Sequence, residues 1–187
     1  MADEVMMEED FPCPCGKGTL RIQVLEHDTW VSGRHSRWTL RCDDCKENYR
    51  EPFLVNALVK REQCEEIERR RQIIYERGQL VGNVAVERYL PQFRDHVKSL
   101  KFKTAMHDAI GGHMSIQKFR DTTRFGSGLD EAIEAGLKRN PARALKRIGV
   151  EDAEITAELA EIAREELAVK KFIEEIPKFP IPAIDYR

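Results

Sequence analysis

Phe11-Pro12-Cys13-Pro14-Cys15-Gly16-Lys17-Gly18 and Cys42-Asp43-Asp44-Cys45-Lys46 decide how this chain folds, and the two cysteine pairs they carry are separated by 26 intervening residues. Two prolines and two glycines within eight residues exclude a helix and demand tight turns. In Thr19–Leu25, Leu20, Ile22 and Val24 alternate with Arg21, Gln23 and Leu25, which predicts a half-buried strand. Ser32-Gly33 is a turn signal, and Arg37-Trp38-Thr39-Leu40-Arg41 alternates as a returning strand. The order is therefore pair, strand, turn, strand, pair, and the hairpin brings the two pairs together. Paired cysteines in a chain with no export signal point to metal rather than disulfides. Zn²⁺ takes four soft or borderline ligands in a tetrahedron at about 2.0–2.3 Å. Cys13, Cys15, Cys42 and Cys45 are the expected ligands. Two other outcomes stay open: His27 or His35 replaces one thiolate, or no metal binds and the cysteines are structural or redox-active. A site of four thiolates is closed to substrate, so the expected Zn²⁺ is structural and contributes folding free energy rather than Lewis acidity.

The second pair has C-x-x-C spacing; the first is C-x-C followed by Gly16. Over about residues 11–50, these knuckles and their intervening hairpin resemble the zinc-ribbon class of small metal modules. Zinc ribbons are frequent in transcription, replication and translation machinery. The resemblance therefore implies a non-enzymatic, zinc-binding regulatory protein that meets nucleic acid or a nucleic-acid-handling complex. It covers roughly a quarter of the chain.

The rest of the 187 residues reads differently: Glu, Arg, Leu and Ile dominate, and 41% apolar with 34% charged residues suits a soluble, helical chain. Helices are expected over 53–77, starting at Pro52 and ending near Gly78; over 84–110, with Pro91 starting or kinking the second; and over 116–121. Residues 124–128 read as a break. Further helices are expected over 130–139, over 142–148 after Asn140-Pro141, and over 151–176 with a stripe of Ile155, Leu159, Ile162 and Leu167. The tail Pro177–Pro182 should be extended. The expected organisation is an acidic leader (1–10), a zinc ribbon (11–50), a helical domain (51–176) and a proline-containing extended tail (177–187). The fold class is α+β, a small N-terminal zinc-ribbon β-hairpin followed by a mostly α-helical body. Cys64 reads as a free, partly buried thiol.

The net charge of −2 argues against a general polycation, yet residues 94–147 carry +6 between ends of −5 each, over 1–12 and 148–187. Candidate binding residues follow from this pattern. On the hairpin they are Trp30, Arg34, Arg37 and Trp38, an aromatic and cationic mix that suits unpaired bases or a protein hot spot. In the basic middle they are Lys98, Lys101, Lys103, Arg143, Lys146 and Arg147. No phosphate loop, nucleophile elbow or H-E-x-x-H is present, and His107, Asp108 and His113 match no catalytic spacing, so no enzyme is expected. The alternative is an adaptor or inhibitor with acidic ends and a helical body, acting on a protein without touching nucleic acid. A cytoplasmic setting, no membrane contact and self-association through the helical body complete the expectations.

Overall fold

The computed structural model describes residues 4–26, 34–99 and 128–184. The Ser32-Gly33 turn, the helix over 116–121, residues 124–127 of the expected break and the 84–110 helix beyond Ser99 lie outside them. The elements are β1 (Glu4–Pro12), β2 (Thr19–Glu26), β3 (Arg34–Leu40), α1 (Asp43–Asn48), β4 (Tyr49–Arg50), β5 (Ala57–Lys60), α2 (Arg61–Ser99), α3 (Gly128–Arg139), α4 (Pro141–Arg147), α5 (Ala153–Glu175) and β6 (Phe179–Pro180). This is an α+β fold, an N-terminal antiparallel sheet followed by a mostly helical body. The chain divides into two compact units: Met1–Arg69 with Lys171–Arg187, and Arg70–Lys170.

In the first unit β2 pairs with β3 in the register Leu20↔Leu40, Ile22↔Trp38 and Val24↔Ser36. Leu20, Ile22 and Val24 are buried, as their alternation predicts. Leu25, on the opposite face by that alternation, is buried as well, between Val5 and His35 in register. The acidic stretch read as a leader forms a third strand, β1, along β2. Its charges are matched across the ladder. The Arg21 guanidinium donates to Asp10 at 2.7 Å and pairs with Glu8, and Gln23 Nε2 donates to Glu8 at 2.6 Å. Opposite charges on facing residues stabilise an antiparallel pair, so this stretch can be a strand despite its acidity.

The helix expected from residue 53 begins only at Arg61. Leu54 and Asn56 have φ of 61° and 51°, the left-handed region a helix cannot contain, and Ala57, Leu58 and Val59 are all buried in β5. That apolar run serves a short interior strand, whose partner β6 comes from the proline-containing tail through Ala57↔Pro180 and Leu58↔Phe179. The tail is thus extended, as expected. One core joins Cys13, Leu20, Ile22, Val24, Leu40, Cys45, Leu58 and Ile184; another joins Val59, Cys64, Ile67 and Ile176.

In the second unit Gly78 does not end α2, which continues with Gly78, Gly82 and Pro91 inside it. A helical glycine costs only about 1 kcal/mol, and burial of Val81, Ala85, Phe93 and Val97 along the same helix outweighs it. Gly82 also meets a packing need: a Cβ there would stand 2.4 Å from the Lys138 carbonyl oxygen. Asn140 caps α4 by accepting the Arg143 amide at 3.2 Å, with Pro141 at the first turn, as the Asn-Pro signal predicts. On α5, Ile155 and Ile162 are buried and Leu159 half-buried, but Leu167 is 67% exposed. At about 100° per residue, Leu167 points about 120° away from Ile155; Val169 holds the inward position in its place.

Candidate metal centre

The register of β2 and β3 places the start of one strand beside the end of the other, and the Arg41 amide donates to the Thr19 carbonyl at 2.8 Å. Each strand end carries a knuckle. In the first, the Gly16 amide closes a turn on the Cys13 carbonyl at 2.9 Å, and the Cys13 amide donates to the Gly18 carbonyl at 3.1 Å. Gly16 has φ of 72°, which a side chain resists. Gly18 is needed for space instead, because a Cβ there would lie 2.6 Å from the Cβ of Cys42. In the second knuckle Cys42 is the N-cap of α1, Cys45 lies in its first turn, and the Lys46 amide donates to the Cys42 carbonyl at 2.9 Å.

The four sulfurs converge. All lie within 4.8 Å of one another, with Cys13 Sγ to Cys15 Sγ at 3.2 Å and Cys15 Sγ to Cys42 Sγ at 3.5 Å. A tetrahedral ion with metal–sulfur bonds of about 2.3 Å has sulfur–sulfur edges of about 3.8 Å. The cluster fits that size, its donor set suits a thiophilic cation, and it can hold a metal ion. The arrangement is compatible with a zinc-ribbon-like module, and the C-x-C knuckle delivers both of its sulfurs.

By themselves the thiols hold their protons unevenly. Burial pushes Cys13 up, but hydrogen bonds from Cys15, from the Gly18 amide at 3.2 Å and from Cys45 outweigh it and bring the thiol down to about 6. Burial pushes Cys45 up, and the neighbouring sulfurs push it further. Cys42 accepts the Cys45 amide, which favours its thiolate, yet the Cys15 sulfur, burial and the Cys13 sulfur leave it raised. A bound cation supplies the charge that would let all four ionise together. The ammonium of Lys46, next in sequence to Cys45, is engaged by Asp43 at 2.7 Å. Cys64 is a different case: buried, hydrogen-bonded to Glu68 at 3.4 Å and pushed up to about 11 by burial, then by Glu68, it is a poor nucleophile.

The described members of the expected binding set fall in both units: Arg37 and Trp38 in the first, and Lys98, Arg143, Lys146 and Arg147 in the second. Trp38 is half-buried against the core that holds Leu20, Ile22 and Leu40, and its Nε1 donates to Glu51 at 2.6 Å. Arg37 is exposed on β3. Arg34 opens β3; its side chain, with Trp30, His27, Lys101, Lys103, His107, Asp108 and His113, lies outside the described residues. Lys98 sits 3.4 Å from Asp130. Arg143, Lys146 and Arg147 line the outer side of α4, all three exposed. Sequence reasoning missed the Glu51 anchor, which no spacing signals. It also missed the 51–56 loop, which leaves Phe53 and Leu54 74% and 77% exposed. No family model, curated protein or solved structure matches this chain.

Proposed function

We infer that the chain is a non-enzymatic, zinc-binding regulatory protein that binds nucleic acid, or a complex that handles it. The four-cysteine cluster supports the metal part: four thiolates at tetrahedral spacing suit Zn²⁺ and leave no open coordination position. The observation that carries the partner part is the division of α4. Pro141, Ala144 and Leu145 face the core, while Arg143, Lys146 and Arg147 lie on the solvent side, with Arg139 exposed just before the helix. No acidic residue falls between Lys138 and Arg147. A compact cationic face of this kind suits phosphates.

The test is a mobility-shift titration of the zinc-loaded protein with random-sequence single-stranded and duplex oligonucleotides. Affinity should fall steeply between about 50 and 200 mM salt. Replacing Arg143, Lys146 and Arg147 by alanine should weaken binding to all sequences and flatten the salt slope by up to about three, near one for each phosphate no longer neutralised. Affinity that barely responds to salt removes this reading. A nuclease-resistant stoichiometric protein partner, with no oligonucleotide binding, would favour the adaptor reading, for which the acidic β1 strand with its exposed Val5, Met6 and Met7 is the motivating surface.

A further inference from the structure

The four sulfurs differ in how solvent reaches them. Cys13 and Cys45 are 2% and 1% exposed, whereas Cys42 is half-buried and Cys15 is exposed. Sulfur oxidation follows thiolate character and access. A bound cation gives every member of the cluster thiolate character, so access alone separates them, and Cys15 comes first. The nearest sulfur that solvent also reaches is Cys42, at 3.5 Å.

We propose that Cys15 is an oxidation site at which a hydroperoxide unloads the metal ion by closing a Cys15–Cys42 disulfide. This rests on the four-thiolate metal reading and adds to it a reactant and a consequence. The Cys15 thiolate attacks the peroxide oxygen; the S–O bond forms as the O–O bond breaks, and the departing alkoxide takes a proton to become an alcohol. Cys15 is then a sulfenic acid, oxidised by two electrons, and the hydroperoxide has been reduced. The Cys42 thiolate attacks the sulfenic sulfur; the S–S bond forms, the S–O bond breaks, and hydroxide leaves as water with a second proton. In sum, two thiolates, one hydroperoxide and two protons give one disulfide, one alcohol and one water. The ion keeps only Cys13 and Cys45, two of the four ligands that a structural site needs, and departs.

Cys13 Sγ is slightly nearer to Cys15, at 3.2 Å, but it is buried and accepts the Gly18 amide. A bridge between Cys13 and Cys15 would also have to close over Pro14 alone, whose φ is fixed. Cys15 and Cys42 sit on separate strand ends and have more freedom to approach. Cys64 has no second thiol beside it among the described residues and stays reduced.

The experiment uses the full chain loaded with Zn²⁺ and titrated with tert-butyl hydroperoxide, while a chromogenic zinc indicator reads release. Peptide mapping follows. Trypsin cuts after Lys17, Arg41 and Lys46, so a Cys15–Cys42 bridge joins two peptides, whereas a Cys13–Cys15 bridge stays within one. Fragmentation then assigns the cysteine within each peptide. The expected result is one ion released per bridge formed, the first bridge being Cys15–Cys42, with reductant restoring metal uptake. Cys64→Ala should release its ion as the unaltered chain does. Retention of the ion under tenfold excess hydroperoxide overturns the proposal. So does release without a disulfide, a first bridge involving Cys13 or Cys45, or loss of release in Cys64→Ala. A reduced protein that takes up no Zn²⁺ at all fails the metal reading instead, and shows this before any oxidant is added.

Discussion

Gly16 and Gly18 stand two residues apart in one knuckle, and alanine should harm them for different reasons. At Gly16 the backbone φ is 72° and a Cβ would meet nothing within 4 Å. The cost of Gly16→Ala is therefore conformational, about 1–2 kcal/mol of folded stability, with the sulfurs left where they are. At Gly18 the added Cβ would lie 2.6 Å from the Cβ of Cys42, 3.3 Å from its Cα and 3.4 Å from its Sγ. Non-bonded carbons rest at about 3.5–4.0 Å, so one strand end must yield by about 1 Å. Metal–ligand distances are held within about 0.2 Å, and a shift of that size draws Cys42 out of the tetrahedron. Gly18→Ala should weaken Zn²⁺ binding at least as much as a change just outside a metal's ligands does, about 10–100-fold. Competition against a chromogenic chelator measures the affinity, and urea unfolding with and without excess chelator measures the stability. Gly18→Ala binding Zn²⁺ as tightly as the unaltered chain would refute the argument, as would equal loss of affinity in the two variants.

Glycines in α2 should likewise respond with opposite signs. Gly78→Ala, whose Cβ meets nothing within 4 Å, should gain about 1 kcal/mol, whereas Gly82→Ala, at 2.4 Å from the Lys138 carbonyl oxygen, should lose about 1–3 kcal/mol in urea unfolding. Asp152 caps α5 and is held down to about 2 by the Ile155 amide, the Tyr89 hydroxyl and Arg88. The folded carboxyl binds its proton less tightly than the unfolded one, so it contributes about 2 kcal/mol that is fully present above about pH 5 and lost as pH falls towards 2. Asp152→Asn should flatten the acid limb of stability against pH; an unchanged limb counts against this network. On α5, Ile155→Ala should cost about 2–5 kcal/mol and Leu167→Ala less than about 0.5 kcal/mol, as read by thermal unfolding.

The hairpin and the metal cluster are legible in the sequence because both are local. Period-two alternation fixes which side chains of β2 face inward, and cysteine spacing fixes which turns carry sulfur. β1 is not legible, because its acidity reads as solvated chain until Arg21 and Gln23 are placed opposite Asp10 and Glu8. The start of α2 escapes a sequence reading because Ala57-Leu58-Val59 is too short for its periodicity to separate a buried strand from a helix. Its end escapes because Gly78 carries a propensity penalty that burial elsewhere along the helix overrides. Leu167 joins the stripe by residue type alone, although its phase on the helix already places it outside.

The first unit also changes what a bound ion would be for. A ribbon of about forty residues standing alone buries too little apolar surface to hold itself together, which makes the metal look indispensable. Here the sheet face formed by Leu20, Ile22, Val24 and Leu40 is joined by Leu58 of β5, by Ile184 and by the half-buried Phe179 and Ile181. All four lie outside the hairpin, three of them in the tail. The knuckle tips have no such cover: Cys15, Gly16, Lys17 and Asp44 are exposed. Apolar burial therefore secures the strands, and sulfur coordination is needed where burial is missing. Removing Zn²⁺ should loosen the two turns before it unpairs β2 from β3. Amide hydrogen exchange read with and without chelator would then show protection lost at the Cys13, Gly16 and Lys46 amides while the Arg21, Gln23, Arg37 and Thr39 amides, which face each other across β2 and β3, keep theirs. Simultaneous loss across the whole sheet would mean that the ion, and not the tail, holds this unit together.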